Sequence, residues 1–307
     1  MSGMAESGNS TTSLLRSAAT IIVLRAAPAG IEVLVTRRNP SLAFMGGMWV
    51  FPGGVLSGAD TADDMLRLFD SRTAHLQTMH TLESKALPER QCLGLVVAAC
   101  RETFEECGVL LARHTDGSPC RPDAMSRLQT QREAIAKQPE LFAPLLAQEN
   151  LRLHVSEMVY WAHWITPSGG PRRFDTRFFA VAAPPAHDVT LATAETSEYA
   201  WAQPARLLQA ARVEKMPVSQ PTLYNLEDLA ACIATHGSLD SLLRAETSRP
   251  VPPVLPKIFR HDGRNTIVMP WDPRYAESPG EGVPAGREYP EALRRLPSWI
   301  VPEPATP

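Results

Sequence analysis

Lysine is nearly missing from this chain. Of its 30 basic residues only Lys85, Lys137, Lys215 and Lys257 are lysine, and the formal net charge over 307 residues is −3. That balance lacks the basic footprint of a general nucleic-acid binder, so no nucleic-acid partner is expected. Cysteine is sparse as well. Cys92, Cys100, Cys107, Cys120 and Cys232 include no Cys-x-x-Cys pair, and their odd number argues against a disulfide framework and for a reducing, cytoplasmic setting. No apolar run is long enough to cross a bilayer. Residues 1–13 lack the basic start and apolar run of a secretion signal, and the closing Pro-Ala-Thr-Pro is not a peroxisomal address. The expectation is a cytoplasmic protein with no membrane partner and a flexible polar leader over residues 1–15.

What the chain has in excess is proline. It carries 28, where the usual share of about 5% would give about half that number, and 13 of them fall between Pro250 and Pro307. A helical bundle or coiled coil is therefore excluded from the C-terminal part. Elsewhere the composition is ordinary: 44% hydrophobic and 21% charged residues, enough for a buried core in one large or two smaller domains.

Along the chain, β-rich runs at Ala18 to Leu24 and Ile31 to Thr36 flank Pro28 and Gly30, which predicts a hairpin. Met48 to Phe51 reads as a short strand stopped by Pro52-Gly53-Gly54, where glycine permits positive φ and close backbone approach. A short helix is expected near Asp63 to Phe69. The strongest helix signal is Leu93 to Cys107, because Leu93, Val96, Val97, Cys100, Phe104 and Cys107 form one apolar stripe and Gly108 follows as a stop. Helices are also expected within 121–148, at Pro204 to Ala211 and at Pro221 to Ala234. Strands are expected at Met158 to Ile165, Arg177 to Ala183 and Tyr199 to Ala202. Without strict βαβ alternation, this mixture favours an α/β or α+β sandwich with a mixed sheet.

The chemistry concentrates in Arg101-Glu102-Thr103-Phe104-Glu105-Glu106-Cys107-Gly108-Val109. On the predicted helix Glu102, Glu105 and Glu106 are three and four positions apart, opposite the apolar stripe, so their carboxylates gather and repel. Arg101 offsets part of that charge by pairing with Glu105. Clustered hard oxygens suit Mg²⁺ or Mn²⁺, ions that keep waters and bind substrate phosphates too. By itself such a stretch also fits a solvated acidic helix face.

The Gly53-Gly54 turn, the acid Asp60, and then Arg-Glu-x-x-Glu-Glu-x-Gly together resemble the signature of the Nudix hydrolases. Asp60 stands where the pattern has glutamate, and Thr103 where it has an aliphatic residue. Gly54 and Arg101 are 47 positions apart where the uninterrupted pattern has 14, an insertion placed at about 58–91. An interrupted box resembles the coenzyme A diphosphatase branch. Leu34-Val35-Thr36-Arg37-Arg38, the Gly47 to Gly54 segment and the run from Met216 to Leu229 resemble that branch too.

The resemblance implies an α/β/α sandwich over residues 16–245 and a metal-dependent attack of water on a diphosphate. Its substrate would be coenzyme A or acyl-coenzyme A, giving 3′,5′-ADP and the (acyl-)4′-phosphopantetheine. ADP-ribose, NADH or another nucleoside diphosphate derivative is the alternative, and a non-catalytic ligand-sensing module is an alternative of another class. Glu102, Glu105 and Glu106 carry over as metal ligands. Arg101 joins the catalytic set, and the general base is Glu102 or a glutamate on a later loop, Glu195 or Glu198, with Glu198 taken for the site. Arg37 and Arg38, with Gly53 and Gly54, are the expected substrate-binding residues, the two arginines clamping a phosphate bidentately. Tyr160, Trp161 and Trp164 offer rings for an adenine but sit in an apolar strand and read as core. The expected partners are a small-molecule nucleotide and, for a homodimer, a second copy of the chain.

Residues 246–307 fall outside the resemblance. Phe259, Trp271, Tyr275 and Trp299 are interleaved with the prolines, which a solvated tail would not favour. Asp262-Gly263 between 254–260 and 265–269 is a hairpin signal. The expectation is an extension lying against the core or against a second subunit.

Overall fold

The computed structural model describes residues 14–69, 76, 78–170, 172–185, 188–191, 195–213 and 216–301. Of the expected leader only Leu14 and Leu15 lie within the described residues. Strand β1 (Leu15–Ala27) turns at Gly30 into β2 (Gly30–Arg38), the predicted hairpin, and β3 (Trp49–Val50) and β4 (Gly53–Val55) pair with β2 and β1 respectively. Then come α1 (Asp63–Leu66) and the long α2 (Glu89–Cys107), which Gly108 ends at φ 70° in the left-handed conformation that glycine adopts without strain. A small ribbon of β5 (Ala112–His114) and β6 (Leu151–Leu153) encloses α3 (Pro122–Lys137) and α4 (Phe142–Gln148) in sequence.

Next are β7 (Val159–Ile165), β8 (Arg173–Ala182) and β9 (Thr196–Ala202), then α5 (Pro204–Val213), α6 (Gln220–His236) and α7 (Leu239–Glu246). Helix α6 starts where the Ser219 hydroxyl accepts from the Thr222 amide, and Gly237 ends it. The C-terminal part supplies β10 (Pro253–Val254), β11 (Lys257–His261), β12 (Arg264–Val268), α8 (Glu291–Arg294) and β13 (Trp299–Ile300).

Eight strands form one mixed sheet along the order β10-β7-β8-β1-β2-β3, with β4 on β1 and β9 on β2. β1 and β8 run parallel, whereas β1·β2 and β7·β8 are antiparallel. Because side chains alternate along a strand, β1 serves two cores. Ala19, Ile21 and Val23 pack with α2, α3 and α4 on one face; Ile22 and Leu24 pack with α5, α6, α7 and part of the C-terminal extension on the other. Burial on both faces is why β1 reads as an almost unbroken apolar run. The result is the expected α/β/α sandwich.

Two points of packing differ from a simple reading of the sequence. α2 is buried nearly all round rather than along one stripe, including Arg101, Glu105 and Glu106, since α3 and the inserted segment cover its outer side. The insertion does not simply loop out. Asp60 sits in a short turn, Ala59–Thr61, held against α2, and farther on Met65, Leu76 and Met79 are buried in the α2-side core. Arg72 and His75 of the insertion lie outside the described residues.

The extension lies on the chain's own core. β10 extends the main sheet beside β7, the Tyr224 hydroxyl donates to the Pro297 carbonyl at 2.6 Å, and Trp271 packs between Tyr224 and Tyr289. The hairpin forms at Asp262-Gly263, both at positive φ, with β13 as its third strand.

Candidate active site

Strand β4 and helix α2 meet at glycine. Neither Gly53 nor Gly54 has positive φ; both are extended, so the reason for glycine is space. A Cβ on Gly53 would lie 2.4 Å from the Ala19 carbonyl oxygen and 2.6 Å from Thr20 Cα of β1. On Gly54 it would lie 2.2 Å from the Glu102 carboxylate carbon. Glu102 therefore rests its carboxylate on the β4 backbone and reaches a cavity of about 420 Å³, a size ordinary for a small-molecule site. Thr20, Arg38, Gly53, Gly54 and Glu195 share its wall, with the Ser219 start of α6.

Arg101 stands behind this wall. Its Nε and Nη2 donate to the two oxygens of Asp60 at 2.8 and 3.0 Å, Nη1 donates to Glu105 at 2.8 Å, and Glu102 lies 3.0 Å away. Burial works against its charge, but the Asp60 hydrogen bonds and the Glu102 and Glu105 carboxylates overcome it and hold the guanidinium protonated. Asp60, which stands where the pattern has glutamate, thus reaches Arg101 despite its shorter side chain, with Ser57 N–H donating to it at 2.8 Å. Thr103, the other departure, gives its hydroxyl proton to the Ala99 carbonyl at 2.7 Å and leaves nothing unpaired. Arg101 does not line the cavity; its contacts are to Asp60, Glu105 and Glu102 behind it.

The carboxylates are under electrostatic stress. Burial raises Glu102 to about 7, with Arg101 opposing and Glu105 adding to the rise. Burial also raises Glu105, against Arg101, and pushes Glu106 well up; Glu102 and Glu195 add to the Glu106 rise while Arg38 opposes it. Among the described residues no three His, Cys, Asp or Glu side chains converge into a ready-made metal centre, and Glu105 is held by Arg101. The donor set nevertheless fits a hard divalent cation: Glu102 and Glu106 are neighbouring carboxylates on α2 whose mutual repulsion such an ion would relieve.

The structure separates the remaining expected residues. Arg37 and Glu198 pair with each other at 2.6 Å across β2 and β9, and Arg37 Nε donates to the Gly47 carbonyl. Neither lines the cavity, whereas Arg38 and Glu195 do. The expected Arg37–Arg38 clamp thus loses one member, and the later glutamate at the cavity is Glu195 in place of Glu198. The reason is strand alternation: neighbours point to opposite sides, and the ladder shifts register between Arg37 and Arg38. Trp161 and Trp164 are buried in the core and Tyr160 packs against it; none reaches the cavity. Sequence reading missed Arg16, Phe44, Arg172 and Phe174 on the wall, since the β1·β8 pairing and the packing of Phe44 on Phe174 bring these distant stretches together. Among the described residues no helix is long and apolar enough to cross a membrane.

Residues 9–229 match the family described as the NUDT19 Nudix domain. The chain is 30% identical over 230 residues to the human acyl-coenzyme A diphosphatase NUDT19, a match covering 66% of this chain and 61% of that protein. It is 23% identical over 277 residues to the Xenopus laevis protein of the same name, covering 81% and 72%. A solved NUDIX hydrolase from Alicyclobacillus acidocaldarius superposes with a TM-score of 0.57 at 29% identity, covering 72% of this chain and 93% of that one. The matched stretch thus spans about three fifths of the human relative's length. With Glu102 laid over Gly54 and the family match extending over most of the chain, the protein belongs to the Nudix hydrolases, in the NUDT19 Nudix domain family.

Proposed function

We propose that this protein hydrolyses the diphosphate linkage of coenzyme A or an acyl-coenzyme A, releasing 3′,5′-ADP and 4′-phosphopantetheine or its acyl form. The observation that carries the reading is the Glu102 carboxylate laid over Gly54 into a cavity shared with Glu195 and Arg38. The names of the human and Xenopus relatives point to the substrate. Glu102 and Glu106, with Glu105 once it leaves Arg101, would hold Mg²⁺ or Mn²⁺. When bound, the ion supplies charge neutralisation at the phosphate oxygens and a lower pKa for the attacking water.

The chain's own groups divide the remaining work. Arg38 faces the cavity with a cation for a phosphate oxygen, and Asp60 with Arg101 fixes α2 against β4 so that Glu102 stays aimed. Glu195 is the proton acceptor in this reading: it lines the cavity, and its main chain is anchored where Asn39 N–H donates to its carbonyl. A glutamate engaged with a cation is a poorer base than a free one, which favours Glu195 over Glu102 for that step. Five free cysteines suit a cytoplasmic setting. A homodimer remains part of the proposal.

A substrate panel of coenzyme A, acyl-coenzyme A, ADP-ribose, NADH and diadenosine polyphosphates, with Mg²⁺ or Mn²⁺ and chromatographic product identification, tests the reading. Coenzyme A or its thioesters are expected to be cleaved best. Strong ADP-ribose turnover without coenzyme A turnover would refute the substrate and keep the reaction class. Binding of these compounds with no turnover of any would instead point to a ligand-sensing module.

A further inference from the structure

Two guanidiniums on the cavity wall have no carboxylate partner among the described residues. β1 and β8 run side by side in register, Arg16 beside Phe174, Ala18 beside Thr176 and Thr20 beside Phe178, and all six side chains line the cavity because alternate residues share a face. Arg172, just before β8, lies with its guanidinium 6.0 Å from the Phe44 ring centre, and Phe44 packs on Phe174 at 5.4 Å. Arg16 and Arg172 are exposed, and among the described residues neither is paired with a carboxylate. Their neighbours behave otherwise. Arg173 pairs with Glu281, Arg177 with Asp175, Arg37 with Glu198 and Arg101 with Asp60.

Along β1, Arg16 is three residues from Ala19, the partner of Gly54, which at the rise of a strand is about 10 Å. A diphosphate seated at Glu102 and Gly54 therefore has, within a nucleotide's reach, an aromatic surface and two free cations. Arg38 is partly engaged by the Phe44 carbonyl at 3.3 Å, so the surplus positive charge belongs to Arg16 and Arg172.

We propose that this part of the cavity recognises a nucleotide bearing a phosphate monoester in addition to its diphosphate, with Arg16 and Arg172 holding that phosphate and the Phe44–Phe174 pair seating the base. The proposal rests on the diphosphatase reading for its placement. Where the sequence put a phosphate clamp at Arg37 and Arg38, the proposal adds a second phosphate contact on β1 and just before β8. Guanidinium forks suit a phosphate dianion through charge-assisted, paired hydrogen bonds, and a phenyl face suits a purine ring.

Calorimetric titration of the full-length protein with adenosine 3′,5′-bisphosphate and with AMP reads this site without turnover. The wild type is expected to prefer the bisphosphate by at least about tenfold, a modest yield for two charge-assisted contacts at an exposed site. In R16A/R172A the ratio is expected to fall to near one, AMP affinity moving by less than about threefold, and R16K/R172K is expected to retain part of the preference. F174A should weaken both ligands alike. Equal affinities in the wild type, or an unchanged ratio in R16A/R172A, would overturn the phosphate site; F174A leaving both ligands untouched would overturn the base platform. Turnover of coenzyme A against 3′-dephospho-coenzyme A separates the two levels. A preserved binding preference with neither compound hydrolysed removes the diphosphatase reading and keeps the site, whereas hydrolysis without any preference does the reverse.

Discussion

Replacing Gly54 by alanine isolates the contact that aims Glu102. The added Cβ would sit 2.2 Å from the carboxylate carbon and 2.3 and 2.5 Å from its oxygens, against 3.4 Å for ordinary contact. The carboxylate must therefore retreat by at least about 1.2 Å, the difference between the first and last of those distances. A displacement of about 1 Å at a reacting group costs on the order of 10²-fold in rate, equivalent to about 2.7 kcal/mol of barrier. Stability should hardly change, because what gives way is the far end of a flexible side chain. At Gly53 the same substitution meets the Ala19 and Thr20 backbone, which cannot move without breaking the β1·β4 ladder. The expected pair of outcomes is a folded, inactive G54A and a poorly folded G53A. Steady-state hydrolysis of coenzyme A with Mg²⁺ and thermal melts of both variants provide the check. G54A with kcat/KM within about threefold of the wild type would refute the reasoning, as would a loss of its melting transition.

Other consequences follow from the same geometry. E195Q is expected to lower kcat by at least about 10²-fold, whereas E198Q, which breaks only the partly exposed pair with Arg37, should shift stability by no more than about 1 kcal/mol and leave turnover near wild type; a larger kinetic loss in E198Q than in E195Q would reverse the assignment. D60N removes the bidentate partner of buried Arg101 while Glu102 and Glu105 remain, and should destabilise the fold by about 1.5–3 kcal/mol, measured by urea unfolding. Limited proteolysis should spare the chain after Pro250, because Met269, Tyr289 and Leu293 are part of the buried core; rapid loss of that segment would contradict the packing described.

Much of this arrangement was legible from local pattern. α2 announces itself by the three-and-four spacing of its apolar residues and by Gly108, and the Asp262-Gly263 hairpin by its turn chemistry. What local pattern could not carry is anything set by pairing across the chain. Asp60 and Arg101 are 41 positions apart, so the insertion hides their partnership until both ends are docked on α2. Glu195 and Glu198 look equivalent in a loop before a strand; only the ladder of β2 with β9 shows that one lies beside Arg37 and the other at the cavity. The near-complete burial of α2 was equally illegible, since its Arg and Glu residues read as a polar face until Asp60 and α3 are seen to cover and partner them.

The central claim is metal-assisted cleavage of a coenzyme A diphosphate by the glutamates of α2, and a time course of coenzyme A hydrolysis by wild type and E106Q, with and without Mg²⁺, tests it most directly. The account predicts equimolar 3′,5′-ADP and 4′-phosphopantetheine from the wild type, none without a divalent ion, and at least about 10²-fold lower kcat in E106Q. Metal-independent cleavage, or an E106Q variant as fast as the wild type, would contradict it.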